Sequence, residues 1–467
     1  MAKKIAFVQP RIDDGNLIPP IGPLIMAAQL ERHGWEVAFF EEQTDPDAFA
    51  NLLAFRPDIA AFSAVTMSVL RAKMLAEKLK AEQPGVVTVF GGPHPTVMAD
   101  EVLSWGCADF VIVREGEKSL PLLCDWVAGK GSEAQLDKIP NLCRRRAGKT
   151  VRNALAQFLT PQELDALPLP ALHLLDINKI FGRMRHGLYS KGKRILPVMG
   201  SRGCPNMCTY CCRVMGYHIR TRSLESVLGE VEHLVKDYAI DELWFEDDNF
   251  TADRTRAEQI LDALSARYPS LAIKFANGLR ADGMDRALLE KLKKAGCYSL
   301  SFGIESGNER VLSLMRKNLD LRVAAANVKL AKDMGFLVGS NCIIGYPGET
   351  EAEARQSIEF FMSLDLDSMA IVNLIPFPGT AVHALCKQND YLTPLAKDWN
   401  NYTFDISSPR VLVQTPELPA AAVRRLMSQA YRKMYLNPRR MLRIARRLDA
   451  ARLWAGAKFM LGRLLRG

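Results

Sequence analysis

Cys204, Cys208 and Cys211 lie in the run Gly203-Cys204-Pro205-Asn206-Met207-Cys208-Thr209-Tyr210-Cys211, a Cys-x3-Cys-x2-Cys spacing with Tyr210 just before the third cysteine. Thiolates at such short spacing are ligands for an iron–sulfur cluster or for zinc. Structural zinc closes a tetrahedron from paired Cys-x2-Cys hooks, and no second hook follows here. A [4Fe–4S] cube takes four ligands, so three cysteines leave one iron open to a small molecule. The expected chemistry is therefore a cluster with one reactive iron. Cys212, next in the chain, would be strained as a fourth ligand and would close that iron. It reads as a packed thiol, as do Cys297 and Cys342 in or beside apolar strands.

Repeated strand-then-helix units must position this loop. Apolar runs at 195–199, 242–245, 273–277, 298–304, 338–344 and 369–374 read as six strands. Amphipathic helices are expected between them, the first at 224–238 behind a Ser223 N-cap. The cysteine run follows the first strand directly, and later strands end at Glu246-Asp247-Asp248-Asn249, before Arg280, at Glu305-Ser306-Gly307 and at Gly345-Tyr346-Pro347-Gly348-Glu349. In an α/β barrel chemistry collects at these carboxyl ends. Six units give a partial (β/α)6 barrel with a wide mouth.

The first 150 residues read as a separate α/β domain. Strands at 5–8, 37–40, 59–62, 86–90 and 110–113 alternate with helical stretches, as in a doubly wound, Rossmann-like sheet. Ligands of such sheets sit outside the carboxyl ends of the strands. That brings Gln9 and Pro10, Ser63 to Thr66, Gly91, Gly92, Pro93 and His94, and Arg114, Glu115, Gly116 and Glu117 to one expected crevice. No Gly-x-Gly-x-x-Gly follows the first strand, which argues against a dinucleotide. The Gly91-Gly92 pair lets a bulky ligand approach the backbone.

Together these runs resemble the radical S-adenosylmethionine (SAM) enzymes, in the subfamily that carries a cobalamin-binding domain ahead of the radical domain. The resemblance rests on the cysteine run, on Pro19-Pro20-Ile21-Gly22, on Gly91-Gly92-Pro93-His94-Pro95-Thr96 and on Glu115-Gly116-Glu117, and it covers roughly the first 385 residues. It implies a cobalamin-binding domain at 1–150, a linker at 151–195 and a radical SAM domain at 196–385. It implies Cys204, Cys208 and Cys211 as metal ligands, with Asp248 and Asn249 at the SAM amino group. Arg280 is implied at the SAM carboxylate or ribose, Glu305 at the ribose hydroxyls and Gly345 near the adenine. Ser63, Thr66, Gly91, Gly92, Pro93, His94, Glu115, Gly116 and Glu117 are implied at cobalamin. Many cobalamin domains ligate cobalt through Asp-x-His-x-x-Gly; neither His33 nor His94 fits that pattern, so no histidine is expected on cobalt.

The activity implied is methylation of an unactivated carbon in a small-molecule or lipid-like substrate, through methylcobalamin and a 5′-deoxyadenosyl radical. Flavodoxin or ferredoxin would supply the electron. Cyclisation or rearrangement without net methyl transfer is the alternative that the sequence leaves open. A methylthiolating RNA enzyme fits poorly, because Cys107, Cys124 and Cys143 lack the context of a second, N-terminal cluster. A non-enzymatic cobalamin sensor would not need the intact cysteine run.

The bulk numbers set limits. The 467 residues allow two or three domains, and 48% are hydrophobic, enough for more than one core. No apolar run reaches the roughly 18 residues of a membrane span. Ten cysteines without a secretory signal suggest a reducing compartment, so cytoplasm is the expected location. Residues 438–467 carry +8 of the formal charge of +9, leaving a near-neutral body and no nucleic-acid groove spread over it. Residues 386–467 read as helical. In the tail, Met441, Ile444, Ala445 and Leu448 form an apolar stripe opposite arginines, a pattern that suits an anionic membrane surface. Packing on the barrel is the competing expectation.

Overall fold

A computed structural model describes residues 3–12, 17–181, 183, 190–404 and 410–435. The chain separates into two compact units. The first comprises Met1–Met184, Arg194–Cys204 and Cys212–Ala239; the second comprises Arg185–Lys193, Pro205–Cys211 and Ile240–Gly467. The division falls inside the cysteine run.

The first unit is built on a seven-stranded sheet of order β2-β1-β3-β4-β5-β6-β7. Its strands are β1 (Lys4–Gln9), β2 (Glu36–Glu41), β3 (Ile59–Ser63), β4 (Val87–Gly91), β5 (Phe110–Ile112), β6 (Leu142–Arg146) and β7 (Lys149–Arg152). The first five pair in parallel, while β6 and β7 add an antiparallel hairpin. Ile5, Ala6, Phe7 and Val8 are all nearly inaccessible, as expected of a parallel strand covered on both faces. The order reverses between β1 and β3, and ligands of open α/β sheets bind at such a switch point. In register, Ser63 at the end of β3 stands beside Gly91 at the end of β4.

Two expectations need revision here. The hairpin went unread, because Arg144-Arg145-Arg146 and Lys149 do not look like strand sequence; an expected boundary at residue 150 therefore falls within β7. The stretch read as a linker is also partly folded. It forms helices at Pro161–Asp165 and Ile177–Ile180, and buries Leu159, Leu164, Ala171, Leu172, Ile177 and Ile180. Thr160 starts the first of these with a capping box to Glu163.

Three short strands remain in the first unit, of which β8 (Ile195–Val198) leads into β9 (Ser201–Arg202). The latter pairs antiparallel with β10 (Arg220–Thr221), so Arg202 stands opposite Arg220. This short pair brackets the chain that contains the cysteines. Ser223 then caps the helix Leu224–Tyr238 by accepting from Ser226 N.

The second unit holds five further parallel strands: β11 (Glu242–Phe245), β12 (Ala272–Phe275), β13 (Ser299–Glu305), β14 (Leu337–Ile344) and β15 (Ser368–Asn373). Bridges Ile273–Cys297 and Leu279–Phe302 carry the parallel arrangement from β12 to β13. These five strands and β8 correspond in sequence to the six apolar runs read as strands. Cys297 and Cys342 are buried, as read. The helix Ala420–Tyr435 follows, and Tyr402 is fully buried against Trp399 and Phe377. The expected basic amphipathic helix at 438–467 lies outside the described residues.

Candidate functional site

In the first unit, the carboxyl ends of β3, β4 and β5 open on an apolar cavity of about 200 Å³. Ser63, Gly91, Gly92, Pro93, Arg114, Glu115, Gly116 and Glu117 line it, together with Phe7, Met26, Ile112, Met199, Arg202 and Met215. Gly92 has φ +97, and a Cβ there would lie 2.8 Å from Ala64 O. Only glycine lets the chain turn so tightly past β3.

Thr66 and His94, expected in the same crevice, are not among its lining residues. Both are buried, and His94 Nδ1 lies 3.1 Å from Thr66 Oγ1. Burial holds His94 down at about 4, so it is a neutral imidazole that ties the short helix Pro93–Val97 to the turn Thr66–Ser68. Gln9 and Pro10 line a separate cavity, with Glu41, Gln43 and Leu175.

Glu115 and Glu117 line the cavity but spend their charge on arginines. Arg202 Nη1 lies 3.0 Å from Glu115 Oε1, and Arg202 Nη2 lies 2.7 Å from Glu117 Oε1. Arg220 Nη1 lies 2.7 Å from Glu115 Oε1, and Leu159 N donates to Glu115 Oε2 at 2.8 Å. The reading from sequence missed both arginines, although Arg202 is only two residues before Cys204.

The cysteine run begins with a turn. Gly203 has φ +87, and a Cβ there would collide with the His218 carbonyl. Cys204 N donates to Gly216 O at 3.4 Å. In the second unit, Thr209 N donates to Met315 O at 3.0 Å, and Thr209 Oγ1 lies 2.7 Å from the Tyr346 hydroxyl. A hydrogen bond from Cys211 outweighs burial and, with the charge of Lys317, holds Cys208 below the ordinary thiol range. The same pairing pushes Cys211 up. A ready thiolate suits metal uptake, which requires deprotonated sulfur.

Lys317 is a second group that sequence reading passed over. It is buried, and its Nζ lies 3.3 Å from Glu305 Oε1. Glu305 ends β13 just past a register shift, with φ +71. A non-glycine residue in that region stores strain and is typical of functional positions. Arg280 was expected to reach SAM, but its five N–H donors go to protein: Asp282 twice, the carbonyls of Lys317 and Asn318, and Asn206 Oδ1 at 3.4 Å. It braces the cysteine loop through Asn206.

At the end of β11, Asp248 is exposed, while Asn249 is buried and accepts a long 3.4 Å bond from Thr251. Their neighbour Glu246 has a buried Oε1 with no hydrogen-bond partner. Burial and then the charge of Asp247 push Glu246 up to about 7. Gly345 has φ +91, and its N–H donates to Glu349 Oε2 at 2.7 Å. Tyr346 N donates to the same oxygen at 3.3 Å. Glu349 is fully buried, its Oε1 has no hydrogen-bond partner, and burial pushes it up to about 7.

These residues fit the groups that the pattern implies. The cavity is apolar and glycine-floored, which suits a large ring with apolar faces rather than a phosphate. The unpartnered oxygen of Glu246 suits an ammonium donor. Fold and site define an iron–sulfur protein with a B12-type α/β domain, and the family models agree: the B12 binding domain matches residues 12–123 and the Radical SAM superfamily matches residues 198–361.

An uncharacterized methyltransferase of Pyrococcus horikoshii is 30% identical over 91% of this chain and 89% of its own length. The chain belongs to this family of B12-domain radical SAM proteins. The cytidylyl-2-hydroxyethylphosphonate methyltransferase of Streptomyces wedmorensis is 27% identical over 80% of this chain and 79% of its own length. Among solved structures, the radical SAM methyltransferase TsrM of Kitasatospora setae, with cobalamin and a [4Fe-4S] cluster bound, shares the fold. The match has a TM-score of 0.68 and 18% identity, and covers 84% of this chain and 76% of that one. The cobalamin-dependent enzyme OxsB matches with a TM-score of 0.66 and 16% identity, over 93% of this chain and 62% of its own. No helix among the described residues is long and apolar enough to cross a membrane.

Proposed function

We propose that this chain is a cobalamin-dependent radical SAM methyltransferase that methylates an unactivated carbon of a small-molecule or lipid-like substrate. The observation that carries the reading is the joining, in one chain, of a three-cysteine run with an apolar, glycine-floored cavity at the carboxyl ends of β3, β4 and β5 in a B12-type sheet. When bound, the cluster with SAM supplies a hydrogen-abstracting 5′-deoxyadenosyl radical, and cobalamin supplies the methyl group.

The chain's own residues bind and orient. Cys204, Cys208 and Cys211 would hold the cluster, and three protein ligands would leave room for SAM to bind it. Glu246, with Asn249 beside it, accepts from the SAM ammonium; its buried Oε1, without a partner, costs free energy until such a donor arrives. Glu305 meets the ribose hydroxyls, with Lys317 fixing the carboxylate. Gly345 and its neighbours meet the adenine, held in shape by Glu349. Gly91, Gly92, Pro93 and Gly116 give cobalamin a floor without protruding side chains, and Ser63 supplies a hydroxyl at its margin. A flavodoxin or ferredoxin would deliver the electrons, one for SAM cleavage and one to return cobalamin to its methyl-accepting state. The location is cytoplasmic, with the basic tail resting on anionic membrane.

The cyclase alternative has a specific observation behind it. The anaerobic magnesium-protoporphyrin IX monomethyl ester cyclase of Rubrivivax gelatinosus is 23% identical over 80% of this chain. The deciding experiment is anaerobic reconstitution with iron, sulfide, cobalamin, SAM and reductant, followed by mass spectrometry with candidate substrates. Methylation produces 5′-deoxyadenosine, S-adenosylhomocysteine and a product heavier by one methylene. Deoxyadenosine without S-adenosylhomocysteine, beside a product of unchanged carbon count, sinks the methyltransferase reading.

A further inference from the structure

Arg202 belongs to two sites at once. Its backbone lies in β9, and Gly203 and Cys204 follow it directly. Its guanidinium is split between the carboxylates of Glu115 and Glu117, at 3.0 and 2.7 Å. These two acids flank Gly116, which lines the apolar cavity; a Cβ on Gly116 would come within 2.7 Å of Met26 Sδ, another lining atom. Arg220, opposite Arg202 in the strand pair, closes the cluster on Glu115 at 2.7 Å and donates to Met215 O at 2.7 Å. Met215 also lines the cavity. Two acids and two arginines thus form a neutral group, with the four side chains only 5–11% exposed.

Stability alone is a weak reason for four buried charges. Apolar side chains of similar volume often hold a loop as well or better. What an arginine clamped by two carboxylates adds is fixed direction, since its planar fork sets the angle as well as the distance. The link onward to the cysteine is equally stiff. Gly203 is packed against the His218 carbonyl, and Cys204 N is tied to Gly216 O. A displacement at Gly116 therefore has a short, rigid route through Glu115 and Glu117 to Arg202, and from there to Cys204.

We propose that Arg202 is a positioning residue that couples occupancy of the apolar cavity to the setting of Cys204, and hence to the electronic state of the cluster. This rests on the reading that the cavity takes cobalamin and the cysteines a cluster. Filling the cavity presses on the Gly116 loop, and the ionic clamp passes that change to one of the cluster's three anchors.

The test uses the full chain, reconstituted anaerobically with iron and sulfide, with and without hydroxocobalamin. The cluster's midpoint potential and the electron paramagnetic resonance spectrum of its reduced form are measured in each state. The native protein should show a shift in both on taking up cobalamin. In Glu117→Gln and Arg202→Lys, compared at equal iron content and equal cobalamin occupancy, that shift should fall by half or more. Glu117→Gln keeps an oxygen acceptor at 117 and leaves Arg202 on Glu115, so it is the milder variant and is read where an Arg202 variant fails to load. Full retention of the shift in a loaded Glu117→Gln protein overturns the coupling, as does a native protein that binds both groups without any shift. A native protein that takes up no cobalamin or no cluster overturns the functional reading as well, which separates the two failures.

Discussion

Glu349 gives a pH-dependent prediction with a definite sign. One carboxylate oxygen receives Gly345 N and Tyr346 N, and the other is buried without a partner. Its folded-state pKa is raised from 4.5 to about 7, first by burial, against the two backbone hydrogen bonds. A raised acid is still protonated in the native state at pH values where the unfolded chain has ionised. Native protein then binds more protons than unfolded protein, so stability falls as pH climbs from 4.5 toward 7. The full penalty, present above pH 7, is about 3 kcal/mol at 1.36 kcal/mol per unit, of which about 2.5 kcal/mol develops between pH 5 and pH 8. Glu349→Gln keeps an acceptor for Gly345 and Tyr346 but cannot ionise, so it mimics the protonated form at every pH. Thermal unfolding of the apoprotein should therefore show Glu349→Gln gaining on the native chain by roughly 5–10 °C in Tm between pH 5 and pH 8. A difference between the two proteins that stays flat over that range would refute the argument, because it would mean that the carboxylate is either solvated or already paired.

Three further outcomes follow from the site. Alanine at Cys204, Cys208 or Cys211 should abolish [4Fe–4S] loading and SAM cleavage, whereas Cys212→Ala should retain iron; visible absorption and iron analysis check this, and loss of iron from Cys212→Ala alone would reverse the ligand assignment. Gly92→Ala should weaken cobalamin uptake roughly tenfold or more while leaving the cluster intact, since a left-handed backbone with a Cβ 2.8 Å from Ala64 O costs about 1–3 kcal/mol; absorbance titration with cobalamin reads it. Deleting 438–467 should remove salt-sensitive sedimentation with anionic vesicles without removing the cluster, and equal sedimentation with neutral vesicles would reject the electrostatic attraction.

The strands were legible because burial writes itself into sequence. Residues 242–245 were read to the residue, and β13, β14 and β15 to within one residue at each end. Glycine pairs and the cysteine spacing were legible for the same kind of reason, since few residues can do what they do. Side-chain partnership was not. Glu115 and Glu117 look like ligand contacts when only their place at a strand end is known, and nothing local says that Arg202 and Arg220, some 87 and 105 residues away, will neutralise them. Arg280 illustrates the converse: its charge suggested an anion, but a nearby Asp282, two carbonyls and the Asn206 amide oxygen take up its donors. Glu246 was passed over for Asp248 because orphaned burial is a property of packing, not of composition.

The hairpin β6–β7 bears on strand-to-strand pairing between molecules. Parallel sheets assemble late, since their pairings are distant in sequence, and an unpaired outer strand is a template for another molecule. Without the hairpin, apolar β5 would present its free N–H and C=O groups to solvent. β6 takes up those groups through Leu142, Cys143 and Arg144, and β7 then faces outward with Lys149 and Arg152 exposed at its ends. Four residues long and basic, it is a poor partner for a second copy. The hairpin thus seals this edge of the sheet against strand-to-strand pairing with another molecule.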